Sequence, residues 1–121
     1  VIILLHGGGL SWWNYKEVAE KLADRFHIVM PILHGHAGSG TPFTSIEDNA
    51  KEIISYIDKT FEGHVLVIGG LSLGGQVLVE MLSPEERKWL DDYHMDVRGK
   101  LLKHLTFDER EWLEKVTEPL K

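Results

Sequence analysis

Val65-Leu66-Val67-Ile68-Gly69-Gly70-Leu71-Ser72-Leu73-Gly74-Gly75 is the stretch on which the fold turns. Residues 65–68 form a continuous apolar run, the pattern of a parallel strand covered on both faces. Gly70-x-Ser72-x-Gly74 follows at once, and a helical segment runs from there through Leu82. A serine between a strand and a helix, with glycines two residues to either side, is the nucleophile-elbow pattern. The turn is strained, its small neighbours let the chain pack closely, and the hydroxyl stands at the positive end of a helix. The competing reading is a glycine-rich turn that only closes a βα unit, with Ser72 as a helix cap.

Upstream, strand and helix periods alternate in the same way. Val1–Leu5 is an apolar run that ends in His6-Gly7-Gly8-Gly9. Asn14-Tyr15-Lys16-Glu17 resembles a capping box, and Tyr15, Val18, Ala19, Leu22, Ala23 and Phe26 then share one helical stripe. Ile28–Leu33 reads as a second strand, with Pro31 pointing to an edge position or a bulge. A glycine-rich loop follows from His34 to Pro42. Thr44 or Ser45 caps the next helix, whose stripe is Ile46, Ala50, Ile53, Ile54, Ile57 and Phe61, with Gly63 as the stop. Strand and helix repeated three times predict right-handed βαβ units and a parallel sheet, an α/β fold.

Downstream the composition changes. Residues 1–82 hold 14 charged residues and 11 of the 12 glycines, whereas residues 83–121 hold 18 charged residues and Gly99 alone. The expected division is therefore 1–82 and 83–121, the second part a helical extension. Ser83-Pro84-Glu85-Glu86 opens one helix, with Trp89, Leu90, Tyr93, Val97, Leu101 and Leu105 at helical spacing. Thr106-Phe107-Asp108-Glu109 opens another, backed by Trp112, Leu113 and Val116 and ended by Pro119. The whole chain has 121 residues, no cysteine and a net charge of -6. That excludes disulfides and Cys-ligated zinc and argues against a nucleic-acid partner. No run approaches a membrane span, and Val1–Leu5 is too short for a signal peptide. The expectation is a cytoplasmic protein with no membrane partner; the absent initiator methionine suggests a piece of a longer chain.

The HGGG run at His6–Gly9, the Gly35-His36-Ala37-Gly38-Ser39 loop and the Gly-Leu-Ser-Leu-Gly-Gly elbow, in this order, resemble the α/β-hydrolase superfamily, most of all its small esterase and lipase-like members. The resemblance covers about residues 1–82. It implies a partial α/β-hydrolase fold, with the three strands in order 2-1-3, a serine nucleophile, an acyl-enzyme intermediate and no cofactor. Ser72 would attack a small-molecule carboxylic ester, and the N–H groups of Gly8 (or Gly9) and Leu73 would stabilise the oxyanion. Gly9, Trp12 and Trp13 would line the substrate pocket, the tryptophans being equally able to pack on the adjacent helix. The family's loop after the second strand usually begins with Asp; here His34 stands there. The family's acid and histidine each follow a later strand, and no convincing strand follows Ser72. Asp96 as acid and His104 as base preserve the order Ser–Asp–His, as do Asp91, Asp92, Asp108 and His94, but all lie on helical patterns.

Residues 83–94 and 111–120, with their Trp-Leu, Tyr-His and Pro-Leu positions, resemble the C-terminal helices of Xaa-Pro aminopeptidases. That family's metal ligands lie upstream of the shared segment, so neither metal nor peptidase activity follows. The chain then reads as a hybrid of two families, or as a hydrolase with a natural helical cap or a truncation. The rival to an esterase is a non-enzymatic fragment or engineered hybrid that forms a homo-oligomer, or takes up a partner strand, through its open sheet edges. A metal site on His6, His34 and His36 is the remaining alternative, against a role for His6 and His36 in local hydrogen bonding.

Overall fold

The computed structural model describes residues 1–120. Backbone contacts divide the chain into two compact units, Val1–Met81 and a second that begins at Leu82. In the first, β1 (Ile2–Leu5), β2 (Ile28–Val29) and β3 (Val67–Gly70) form a parallel sheet in the order β2-β1-β3. Ile2 and Ile3 stand opposite Ile28 and Val29, and Ile2 through Leu5 stand opposite Val67 through Gly70. This is the α/β architecture and strand order expected.

The middle strand makes the core. Ile3 and Leu5 of β1 are fully buried with Leu33, against Ala50, Ile53 and Ile57 of α2 (Ile46–Phe61) and Val77 of α3 (Leu73–Met81). Each large side chain so buried contributes roughly 1.5–3 kcal/mol. Ser45 caps α2 by accepting the Asp48 N–H at 3.0 Å. The helix ends through two left-handed residues, Glu62 (φ 54°) and Gly63 (φ 77°).

Three local expectations need correction. The second strand is Ile28–Val29 rather than Ile28–Leu33. Pro31 has no N–H for a ladder, and the chain leaves the sheet so that Leu33 enters the core and gives its N–H to the His6 ring at 3.0 Å. The third strand is shifted two residues, to Val67–Gly70. Gly69 and Gly70 pair with Leu4 and Leu5 through their backbones, which an apolar pattern does not register. Asn14 caps nothing. Trp12–Tyr15 is a 3-10 turn before α1 (Lys16–Leu22), and Asn14 Oδ1 instead accepts the Gly7 N–H at 3.2 Å. Of the expected α1 stripe only Ala19 is buried.

The second unit consists of α4 (Pro84–Leu101), a 3-10 turn over Leu102–His104, and α5 (Phe107–Val116). Both helices begin in capping boxes, Ser83 with Glu86 and Thr106 with Glu109. The apolar stripe expected on α4 is not buried. No α4 residue is, and Trp89 (68% exposed) stacks in the open on Tyr93, ring centroids 5.9 Å apart. Leu113 is the one buried residue of α5. Polar links connect the two helices: the Arg98 guanidinium donates to Thr117 Oγ1 at 2.9 Å and to the Thr117 carbonyl, and Leu120 N–H donates to Asp91 Oδ1 at 2.8 Å. Among the described residues no helix is long and apolar enough to cross a membrane.

Candidate functional site

Because β1 and β3 are parallel neighbours, their C-terminal ends deliver two loops side by side. One is His6–Gly9, the other Leu71–Leu73. At the second, Ser72 adopts φ 52°, a left-handed conformation that costs a non-glycine residue about 1–2 kcal/mol. The strain is enforced by close packing around it. A Cβ on Gly70 would lie 2.4 Å from the Gly74 carbonyl oxygen, and one on Gly74 would lie 2.2 Å from the Leu5 carbonyl oxygen. Both glycines of the motif are therefore demanded by backbone approach. Ser72 is solvent-exposed at the entrance to α3, its carbonyl accepting the Gln76 N–H at 3.0 Å. Its hydroxyl makes no hydrogen bond among the described residues.

Side chains from elsewhere pin the glycine loop. The Gly7 N–H is held by Asn14, and the Gly7 carbonyl accepts from His6 Nδ1 at 2.9 Å and from the Leu10 N–H at 3.2 Å. The Gly9 N–H donates to His36 Nε2 at 3.2 Å. Gly8, between them, has an N–H with no partner among the described residues, and a Cβ there would stand 3.7 Å from that of Leu73. Since a trans peptide opposes its N–H to its C=O, fixing the Gly7 carbonyl also fixes the direction of the Gly8 N–H. The Tyr15 hydroxyl donates to the Leu5 carbonyl at 3.2 Å, and Ser11 Oγ donates to the Ala37 carbonyl at 2.8 Å.

His6 and His36 have well-defined roles. His6 accepts the Leu33 N–H at Nε2, so its proton sits on Nδ1, facing Gly7. Burial pushes its pKa below the ordinary imidazole value; the bond to Gly7 opposes that shift and nearby His36 adds to it. His36 has the same tautomer, donating from Nδ1 to the His34 carbonyl at 2.9 Å. The two rings meet edge to face, centroids 4.9 Å apart. All four ring nitrogens are thus engaged. Among the described residues no group of three His, Asp or Glu could hold a metal. His34 contacts the Glu52 carboxylate through Nε2, and its N–H donates to Asn49 Oδ1 at 2.8 Å.

The remaining sequence-derived residues lie as follows. Trp12 and Trp13 are exposed in the 3-10 turn after the glycine loop. A cavity of about 280 Å³ lies elsewhere in the first unit, beside β2 and α2, lined by Met30, His34, Asn49, Glu52 and Tyr56 among others. Neither tryptophan nor Ser72 borders it. In the second unit Asp96 is exposed on α4, accepting from Lys100 Nζ at 2.6 Å, and His104 is exposed in the 3-10 turn. The parts that reading the chain missed are Ser11, Tyr15 and the true partner of Asn14. Ordinary side chains carry no pattern that announces a backbone partner up to 26 residues away.

Two family models match overlapping stretches of the chain. Residues 1–87 match the family model described as the alpha/beta hydrolase fold, and residues 76–120 match that of the C-terminal region of peptidase M24. A soluble epoxide hydrolase from a Corynebacterium species is 30% identical over 61 residues, 46% of this chain and 21% of its own. A probable Xaa-Pro aminopeptidase P from Talaromyces stipitatus is 47% identical over 51 residues, 39% of this chain and 8% of its own. The chain thus spans about a fifth and under a tenth of these relatives. A thermophilic esterase from Thermogutta terrifontis, solved with malate bound, shares the fold over 80% of this chain and 44% of its own, with a TM-score of 0.61 and 24% identity. The chain belongs to the alpha/beta hydrolase fold family, continued by a tail like that of the M24 peptidases.

Proposed function

We propose that this chain carries the nucleophilic half of a serine hydrolase acting on small carboxylic esters. The observation that carries the reading is Ser72. It is an exposed serine held at φ 52° by two glycines that admit no side chain, at the mouth of a helix. Ser72 attacks the ester carbonyl, and the tetrahedral oxyanion is met by the unpartnered N–H groups of Gly8 and Leu73, with the α3 N-terminus adding its positive potential. Gly9 serves only as a spacer, because its N–H is already given to His36. The alcohol leaves carrying the proton that Ser72 gives up, and water then releases the acid from the acyl-enzyme and returns a proton to Ser72. Trp12 and Trp13, exposed beside the glycine loop, are the apolar surface offered to the acyl chain. Asp96 and His104 keep the family's chain order, but both lie in the second unit, Asp96 accepting from Lys100, and neither is assigned as the base for Ser72.

The test is intact-mass spectrometry after incubation with a fluorophosphonate. Stoichiometric labelling, lost in Ser72→Ala, supports the reading. Labelling that survives Ser72→Ala overturns it. One observation favours a second reading, a non-enzymatic module that pairs with a second copy. The edge strand β3 leaves Val67 48% exposed and its neighbour Leu66 64% exposed. No labelling together with a dimeric mass in native spectrometry selects that alternative.

A further inference from the structure

Two peptide planes flank Gly8, and a histidine fixes each of them. His6 Nδ1 holds the Gly7 carbonyl, hence the plane that carries the Gly8 N–H; His36 Nε2 holds the Gly9 N–H, hence the plane that carries the Gly8 carbonyl. Glycines have no side chains to hold them and lose the most freedom on ordering, so a three-glycine loop without such restraints would sample many orientations. The restraint from His6 is buried and anchored at both nitrogens. The restraint from His36 is of a different kind, since the Gly9 contact lies at the solvent-exposed side of the loop.

We propose that His36 is a positioning residue for the oxyanion loop, holding Gly8 against Leu73 only while its imidazole is neutral. The inference rests on the serine-hydrolase reading for its consequence, though the latch itself does not. Protonation at Nε2 replaces an acceptor by a second donor facing the Gly9 N–H, and places a positive charge beside the His6 ring 4.9 Å away. The titratable groups around it are His6 from the end of β1, His34 from its own loop, and Glu52 of α2 behind His34. No carboxylate pairs with His36 among the described residues. Protonation of the ring therefore releases Gly9 and lets the loop drift.

The experiment follows two readouts in the intact chain. The first is the Gly9 amide resonance against pH; the second is the rate at which fluorophosphonate labels Ser72. The Gly9 resonance is expected to move with the titration of the His36 ring. His36→Leu, which removes the acceptor, should slow labelling by at least about tenfold, a part of the 10²–10³ that one oxyanion donor is worth. His36→Gln presents an amide oxygen near the same place and does not titrate. It should label within about threefold of the unaltered protein and abolish the pH step at Gly9. A Gly9 resonance indifferent to His36 overturns the latch, and so does His36→Leu labelling at the unaltered rate. If the unaltered protein takes no label at all, the nucleophile reading has failed. The Gly9 titration then decides the latch alone.

Discussion

Helices α2 and α4 begin alike and end differently. Each is capped by a serine whose hydroxyl accepts a backbone N–H, carries acids in its first turn and bears an apolar stripe. In α2 the stripe is covered by β1, Leu33 and α3, so Ala50, Ile53 and Ile57 are buried. In α4 nothing is buried, and the large residues Trp89, Tyr93 and Met95 stand in solvent. Capping and periodicity decide that a helix forms. Whether it stabilises a core depends on a second surface of matching shape, and the first unit supplies one through its sheet.

The sharpest way to break this contrast is to attack the sheet side at its tightest point. Gly74→Ala drives a methyl group into the Leu5 carbonyl of the middle strand, and should cost on the order of 3 kcal/mol or more. Chemical denaturation should show the first unit unfolded or nearly so. A change under about 1 kcal/mol would mean that α3 slides away from β1 freely, and close backbone approach would no longer explain the second glycine of the motif.

A paired truncation comes next in size. Ile57→Ala removes a buried α2 side chain and should cost about 2–4 kcal/mol, whereas Trp89→Ala, although it removes more atoms, should stay within about 1 kcal/mol. Equal losses in urea titrations of the two variants would show that the α4 surface is covered in solution, by a second copy or by another part of the chain.

Acid separates the units more gently. The unfolded chain protonates His6 near pH 6.5 while the folded unit resists, so the first unit's stability is present above that pH and declines as pH falls below it. In α5, the Thr106 N–H and hydroxyl hold the Glu109 carboxyl below the usual glutamate range. Its contribution is present above that range and is lost as pH falls through the lower folded value. Protection at the Ile3 and Leu5 amides, measured against the intrinsic exchange rate, should therefore begin to fall at a higher pH than protection at Leu113. The reverse order would contradict both assignments.

Much of this was legible in the chain. An apolar run followed by Gly70-x-Ser72-x-Gly74 has few structural solutions, and three strand–helix repeats restrict the sheet to a parallel one. Thr44 or Ser45, and then Gly63, marked the ends of α2 by their own chemistry, and of the two candidate caps the structure uses Ser45. What was not legible concerns partners. Asn14 reads as a helix cap because that is its commonest local use, yet its oxygen serves Gly7. Pro31 signalled an edge but not that Leu33 would leave the sheet for the core.

By itself the sequence determined the element order, the parallel α/β architecture, the elbow serine and the break in character after Leu82. All of these follow from spacings within a few residues, where period, capping and glycine tolerance act directly. Only the tertiary structure decided that Ser72 is held left-handed by two backbone approaches, that Gly9 is occupied while Gly8 is free, and that no residue of the α4 stripe is fully buried. The approach of Gly74 to Leu5 and the bond of Gly9 to His36 join distant parts of the chain, and whether a stripe is buried depends on what packs over it; a linear pattern carries no measure of either.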